Sequence, residues 1–591
     1  MPLPSPESFV LQSEYDFVIV GSGGASMCAA LLAKEAGVNC VILEKQEKIG
    51  GSTGFSGGAW WVPDNHVMKR AGVDDSAEMA RCYFDAVVEF TGKGSSPERR
   101  EAFLAQAPQM IEFLERQGMK FEYGDGWADY YDERPGGQPR GRALLAGAFD
   151  LNALGPWKEK LSLYAPIKPM PFGSHRVFQM MMFMRTWKAR RILLELVLTV
   201  LRNKLLGRDV TANGGAIQAR MLEMTLKRNI PVITGFAADK LVERDGRVAG
   251  VEGWCRGQRI TVSARCGVLL NTGGFARNEA MRQKYQRQPT SAQWTLANPG
   301  DTGEMLQAGM ALGAATENLD MAIWIPTSLN PDLSPPVGAI GKDGGHYLFP
   351  HNGDISAPHL IIVDKTGQRF FNEAQSYVET GETMYARGAI PAFAIFDQRH
   401  LKRYFWGTLP PQAKPVKQWL ESGFLVKADT LEDLARQAGI DPTGLAAQVE
   451  RFNGFARNGV DQDFQKGERT YDRWRGDPSV GPNPCLGEIA QAPFYAIRIF
   501  PADVGTFGGL VTDEHARVLR DDGTLIEGLY AAGNCTSSVM GRSYPGGGAS
   551  ISASFAFGYI AALHVIRLAA SNKHPSATGG KDQSATHPAL P

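Results

Sequence analysis

The stretch that most constrains the fold is the start of the chain. Tyr15 to Val20 (YDFVIV) is a short apolar, β-rich run, Gly21-Ser22-Gly23-Gly24-Ala25-Ser26 follows directly, and MCAALLAKEAG then carries a helical pattern. A second apolar run, Asn39 to Leu43, ends at Glu44, 23 residues after Gly21, where an acid can reach a ribose hydroxyl. Glycine lets the backbone touch a pyrophosphate, and the helix N-terminus offers unpaired N–H groups to its charge. Gly21, Ser22, Gly23, Gly24, Ala25, Glu44 and the adjacent Lys45 are therefore candidates for holding a dinucleotide. Ser26 stands where the motif has Gly or Ala, a small departure that weakens the helix–strand packing argument for the motif. This unit alone does not separate FAD from NAD.

Three further blocks place glycine beside a strand or helix end. IGGSTGFSGGAWWVP (Ile49 to Pro63) adds Gly50, Gly51, Ser52, Thr53, Ser56, Gly57 and Gly58. GVLLNTGGF (Gly267 to Phe275) adds Thr272, Gly273 and Gly274. GLYAAGNCTSSVMGRSYPGGGAS (Gly528 to Ser550) adds Gly533, Asn534, Gly548 and Ser550, and Ile551 follows at the start of an apolar helical stretch. Together these blocks resemble the FAD-binding domain of the succinate dehydrogenase/fumarate reductase flavoproteins. The resemblance implies an α/β, Rossmann-like FAD-binding domain with an inserted α+β catalytic domain. It also implies that the last helix points its N-terminus at the flavin. No Cys or His sits in a recognisable attachment context, so FAD is expected to be non-covalent. The segments divide as 14–287 and 486–570 for the nucleotide domain, 288–485 for the catalytic domain and 571–591 for a polar, disordered tail.

Within that class the chain resembles the 3-ketosteroid dehydrogenases from Tyr15 to about Ala570. GGSTGFSGGAWWVP, WADYYDERPGG (Trp127 to Gly137), RFFNEAQSY (Arg369 to Tyr377) and the run TFGGLVTDEHARVLRDDGTLIEGLYAAGN leading to SYPGGGAS carry the likeness. Where fumarate reductases have an arginine-bearing stretch, this chain reads MGRSYPGGG, which disfavours reduction of a dicarboxylate. The resemblance implies that Tyr544 and the Gly548 N–H bind the 3-keto oxygen. It implies that Tyr377 removes the adjacent proton and that Tyr130 supports this base, with Tyr131 as the alternative. Arg369 and Glu373 are read as anchors of the loop bearing Tyr377. The implied substrate is a 3-ketosteroid in steroid or sterol degradation, with a quinone or another electron acceptor as second partner.

The chemistry can be judged without the family. Desaturation beside a ketone requires donors at the ketone oxygen, a base at C2 and a hydride acceptor at C1. A phenol and an amide aimed at the oxygen stabilise enolate-like charge, and flavin supplies the acceptor that side chains lack. Tyrosine is a weak base with a free pKa near ~10. The base is therefore expected to have a lowered pKa and an alkaline working range. Two rivals remain open. One is the same fold acting at another bond, as a 3-keto-5α-steroid 4-dehydrogenase or an enone-forming or enoate-reducing flavoenzyme. The other is a non-catalytic flavin- or steroid-binding protein at a membrane.

Residues 157–208 stand apart. Lys158, Lys160, Lys168, Arg176, Arg185, Lys188, Arg190, Arg191, Arg202, Lys204 and Arg208 face only Glu159 and Glu195, with FQMMMFM and ILLELVLTVL between them. Basic charge joined to bulky apolar side chains suits a membrane surface, and a pair of packed helices with a wet basic face is the competing reading.

Bulk properties exclude other classes. At 591 residues the chain exceeds one compact domain. With 62 basic and 62 acidic residues it has no global basic field for nucleic acid. The seven cysteines form no CxxC pair and no metal spacing, so no metal is expected and a reduced, cytoplasmic setting fits. The N-terminus reads as no signal peptide, and the absence of an uninterrupted run of 18 apolar residues argues against a simple membrane-spanning helix.

Overall fold

The structure is a computed structural model that describes residues 3–89, 92–163, 171–336 and 348–573. Its first sheet runs in the order Arg517–Leu519, Leu525–Ala531, Gln258–Leu270, Glu14–Val20, Cys40–Glu44, Val232–Thr234, with Arg247–Cys255 and Phe236–Arg244 added antiparallel. Glu14–Val20 is parallel to both neighbours, with Val20 opposite Leu43 and Leu270. The strand ends therefore bring Gly21, Glu44 and Asn271 to one edge, the position where open parallel sheets bind ligands. These strands are buried on both faces, so they read as continuous apolar runs and not as alternating ones.

Helix α1 (Gly24–Glu35) leaves the glycine turn and is buried from Gly24 to Ala33. The Ser26 hydroxyl donates to Asn271 Oδ1 at 3.0 Å, joining α1 to the end of the strand Gln258–Leu270.

The 157–208 region is not one uniform insertion. Trp157 is buried and donates its indole N–H to the Pro4 carbonyl at 2.7 Å. Two helices follow, α2 (Ser174–Met180) and α3 (Trp187–Leu205). Ser174 caps onto Asn213 Oδ1 at 2.8 Å and Gly57 O at 2.8 Å, while Arg185 pairs with Asp477 at 2.7 Å. Lys168 lies outside the described residues.

The second sheet is antiparallel and six-stranded, in the order Phe349–Pro350, Ala322–Ser328, Phe494–Thr506, Ala392–Asp397, Leu360–Val363, with Leu425–Ala428 also on Phe494–Thr506. Helix α4 (Tyr377–Arg387) packs on Ala322–Ser328 so closely that a Cβ at Gly381 would lie 2.2 Å from the Trp324 side chain. The expected boundary at 485 is corrected: the strand Phe494–Thr506 lies within this sheet, not with the nucleotide strands.

The last helix, α5 (Ala549–Lys573), is long and apolar enough over Ala549–Ser571 to cross a membrane, contrary to the reading from uninterrupted runs, but 67% of that window is buried inside the fold. It presses on α1 where Gly24 has no side chain: a Cβ there would sit 2.0 Å from the Phe555 ring. Residues 574–591, the bulk of the expected tail, lie outside the described residues.

Candidate active site

One cavity of about 710 Å³ runs between the two sheets. At one end its wall is backbone. Gly21, Ser22 and Gly23 line it, as do Glu44 and Lys45, Gly51, Ser52, Thr53, Ser56, Gly57 and Gly58, and Thr272, Gly273 and Asn534. Gly548, Ser550 and Ile551 line it from the start of α5. The N-termini of α1 and α5 thus both open onto the same space, as anionic or electron-rich groups require.

Glu44 accepts from Ser22 N at 3.0 Å, Ser22 Oγ at 2.5 Å and Gln46 N at 2.8 Å, and burial raises its pKa against those bonds. Gly21, at φ +96°, passes so near the next strand that a Cβ would stand 2.2 Å from Asn271 O. This narrow glycine cradle with two helix N-termini and a ribose-height carboxylate fits FAD.

Five expected cofactor contacts do not line the cavity. Gly24 and Ala25 serve the contact between α1 and α5. Gly50, at φ +125°, makes the turn before the loop helix, its N–H bonded to Ser22 Oγ at 3.0 Å. A Cβ at Gly274 would meet Thr506, and one at Gly533 would meet Asn271 and Ser554. Gly24, Ala25, Gly274 and Gly533 are close-packing positions and Gly50 is a turn position, and glycine and alanine patterns signal these as readily as ligand contact.

Sequence reasoning missed other lining residues: Gln46, Asn271, Asn298 and Asp301, and Phe236 and Ala238 on an antiparallel strand. Asp301 is buried, accepts from Ser52 Oγ at 3.1 Å, and has its carboxyl pushed up to about 7 by burial. In the sequence Asp301 stands in GDTGEM, a turn leading into a helix, which carries no nucleotide signature of its own.

At the other end the wall is aromatic. Tyr130, Tyr377 and Tyr544 all line it. Their ring centroids lie 5.7 Å (Tyr130 to Tyr377), 5.5 Å (Tyr377 to Tyr544) and 6.0 Å (Tyr130 to Tyr544) apart. Tyr544 OH hydrogen-bonds Ser550 Oγ at 3.0 Å. Gly548, at φ +94°, cannot carry a side chain, since a Cβ would meet Ala59 O at 2.1 Å. Tyr131 does not line the cavity; its ring lies under the Arg469 guanidinium, 5.6 Å away.

Three distant stretches hold these phenols in register. Tyr130 N and Tyr83 OH both donate to Pro545 O, at 3.0 and 2.7 Å, which ties the WADYY segment to SYPGGG. Asp129 beside Tyr130 accepts Trp61 Nε1 at 2.8 Å and pairs with Arg142; burial pushes its carboxyl up to about 6.

Tyr377 opens α4, and the loop before it is clamped by buried charges. Arg369 pairs with Glu373 at 2.9 Å and Asp461 at 3.0 Å, and Lys466 stands 3.2 Å from Glu373. Burial would raise the Glu373 pKa, but Arg369 and Lys466 outweigh it and hold it at about 2.

The expectation of a lowered base pKa is overturned in this state. Burial first, then the neighbouring phenols of Tyr130 and Tyr544, push Tyr377 well above its ordinary value.

The FAD binding domain family matches residues 16–551. A 3-oxosteroid 1-dehydrogenase of Mycolicibacterium smegmatis is 40% identical over 585 residues, covering 96% of this chain and 99% of the relative. A 3-oxosteroid 1-dehydrogenase of Mycobacterium tuberculosis is 39% identical, covering 94% and 98%. The crystal structure of 3-ketosteroid Δ1-dehydrogenase from Sterolibacterium denitrificans, in complex with 1,4-androstadiene-3,17-dione, superposes with a TM-score of 0.86 at 34% identity, covering 94% of this chain and 100% of that one.

Proposed function

The chain belongs to the FAD binding domain family, among the 3-oxosteroid 1-dehydrogenases, and from that premise we propose that it introduces the C1–C2 double bond of a 3-ketosteroid. The observation that carries this reading is the convergence of three phenols on the cavity that the glycine segments also line.

In the proposed route Tyr544 OH and the Gly548 N–H donate to the 3-keto oxygen and stabilise the charge that gathers there. Tyr377, as phenolate, takes the C2 proton; Tyr130, which raises the Tyr377 pKa while both phenols are neutral, turns its hydroxyl to donate to the phenolate once Tyr377 has lost its own proton. The flavin, when bound, supplies the acceptor for the hydride that leaves C1. The glycine turn at 21–23, Glu44, the 51–58 loop, Thr272, Gly273 and Asn534 would hold the cofactor without a covalent bond. The corresponding division assigns 14–287 and 507–570 to the nucleotide unit and 288–506 to the substrate unit.

Anaerobic mixing with androst-4-ene-3,17-dione tests the proposal. The flavin absorbance bleaches at a rate fast enough to support turnover, and the product carries C1=C2 by NMR. A spectral shift without bleaching would point to a binding protein, and a C4=C5 product from 5α-androstane-3,17-dione would point to the 4-dehydrogenase reading. The second partner is a quinone or another two-electron acceptor, tested by reoxidation with each.

For location we propose peripheral attachment to the inner face of the cell membrane through α3 alone. Trp187, Leu198 and Leu205 on this helix are 82%, 56% and 87% exposed, an unusual display of large apolar side chains. Lys188, Arg190, Arg191, Arg202 and Lys204 flank them, complementary to anionic headgroups. Replacing Leu198 and Leu205 by Glu abolishes co-sedimentation with vesicles containing anionic lipid; undiminished sedimentation overturns the assignment.

A further inference from the structure

Among the described residues six charged ones line the cavity, and five have partners. Glu44 is held by Ser22, Lys45 pairs with Glu304 at 3.1 Å, Asp301 accepts from Ser52, and Asp354 bonds His351 at 2.7 Å and the Gly407 N–H at 2.9 Å. The sixth is Arg475. It is only 8% exposed, and among the described residues its guanidinium makes no ion pair and its Nε has no hydrogen-bond partner. Buried cations without a counter-charge are costly, so an unpaired guanidinium facing a ligand cavity points to an acceptor brought by the ligand.

Its surroundings say which part of the ligand. The Arg475 guanidinium lies 4.9 Å from the Tyr471 ring and 6.0 Å from the Phe178 ring. Tyr471 in turn lies 4.4 Å from Tyr130, which lies 6.0 Å from Tyr544. Two ring-to-ring steps and a cation contact thus separate the guanidinium from the proposed ketone site. Beside it one face of the wall is aromatic, while Asn352 and Asp354 flank Gly353 in the same lining. Phe178 of α2 packs against Trp127 and Trp474 at 6.0 and 5.6 Å, and a Cβ at Gly353 would stand 3.3 Å from Phe178.

Resting on the proposed function, we propose that Arg475 is an acid-recognition subsite, and that the preferred substrates are 3-ketosteroids whose ring-D side chain ends in a carboxylate. The rigid ring system lies along the aromatic wall with its ketone at Tyr544, and the carboxylate completes the charge of Arg475 in a planar, two-bond contact.

The test compares 3-oxochol-4-en-24-oic acid, its methyl ester and androst-4-ene-3,17-dione in anaerobic flavin reduction with the full-length holoenzyme. Bleaching by the neutral dione reports the proposed function independently of the subsite. For the native enzyme kcat/KM is expected to favour the acid over the ester by about 10- to 100-fold, the range for a hydrogen bond to a charged group. Arg475→Met collapses that ratio toward one through KM, and Arg475→Lys restores part of it. FAD content and melting temperature monitor folding of both variants. The proposal is overturned if the native enzyme does not distinguish acid from ester. It is equally overturned if Arg475→Met slows acid, ester and dione by one common factor with a shifted pH profile, since the charge would then serve the phenols.

Discussion

The two ends of the single cavity are built on opposite principles. The nucleotide end is backbone: glycines at positive φ, helix N-termini and strand ends set its shape, and it tolerates no added carbon at Gly21 or Gly548. The aromatic end is side chains from stretches hundreds of residues apart, meeting only because Pro545 accepts from both Tyr130 and Tyr83 and because buried ion pairs fix the loop before Tyr377. In the proposed function the first end holds the cofactor and the second acts on the substrate. Substitutions should separate the two functions.

The sharpest break comes from Tyr377→Phe. It is expected to slow flavin reduction about 10²–10⁴-fold with FAD content unchanged, measured by stopped-flow bleaching beside the absorbance ratio of the purified protein. Tyr544→Phe follows, with about a 10²–10³-fold loss from removing one donor to the developing oxyanion. Loss of bound FAD in either variant would dissolve the contrast between the ends.

Gly21→Ala tests the other end. A methyl 2.2 Å from Asn271 O on a residue at φ +96° costs at least about 1–3 kcal/mol of backbone strain. The protein is expected to purify with little FAD and to fail on every substrate alike. Near-normal FAD affinity would show that the cradle is looser than its geometry.

The pH profile is the gentlest probe. Burial and two neighbouring phenols raise the Tyr377 pKa, and in the proposed route the working form is the phenolate. Below that raised value the active fraction grows about tenfold per pH unit, so the reduction rate is expected to climb from pH ~7 to ~9 without a plateau. A plateau near neutrality would mean that bound ligands supply positive potential that reverses the shift.

The same contrast explains what could be read before any coordinates. Gly21, Gly23 and Glu44 announce themselves because a pyrophosphate site demands one backbone geometry, which few sequences can make. The phenols are different: Tyr130, Tyr377 and Tyr544 stood out from 16 tyrosines only through a resemblance to known dehydrogenases. Nothing local marks a tyrosine that will meet two others.

Gly24 and Ala25 sit in the contact between α1 and α5, and tight helix packing and ligand contact call for the same small residues. Asn271, Asn298 and Asp301 were missed because a single polar residue after a strand has no periodic signature. The strand Phe494–Thr506 was placed in the wrong unit because its partners, at 322–328 and 392–397, are remote in sequence. The role of α2 was hidden since α2 and α3 share one composition, and only packing shows that one walls the cavity while the other faces outward.

The knot of Arg369, Glu373, Asp461 and Lys466 has an evolutionary corollary. Each of the four is tolerable in the interior only while the others are present, so no single replacement offers a downhill path away from it. A lineage can remodel the ring-D end one residue at a time, whereas relocating the proton-abstracting group would require several simultaneous changes. Diversification among such enzymes should therefore accumulate in what they accept and leave untouched the atom from which they take the proton.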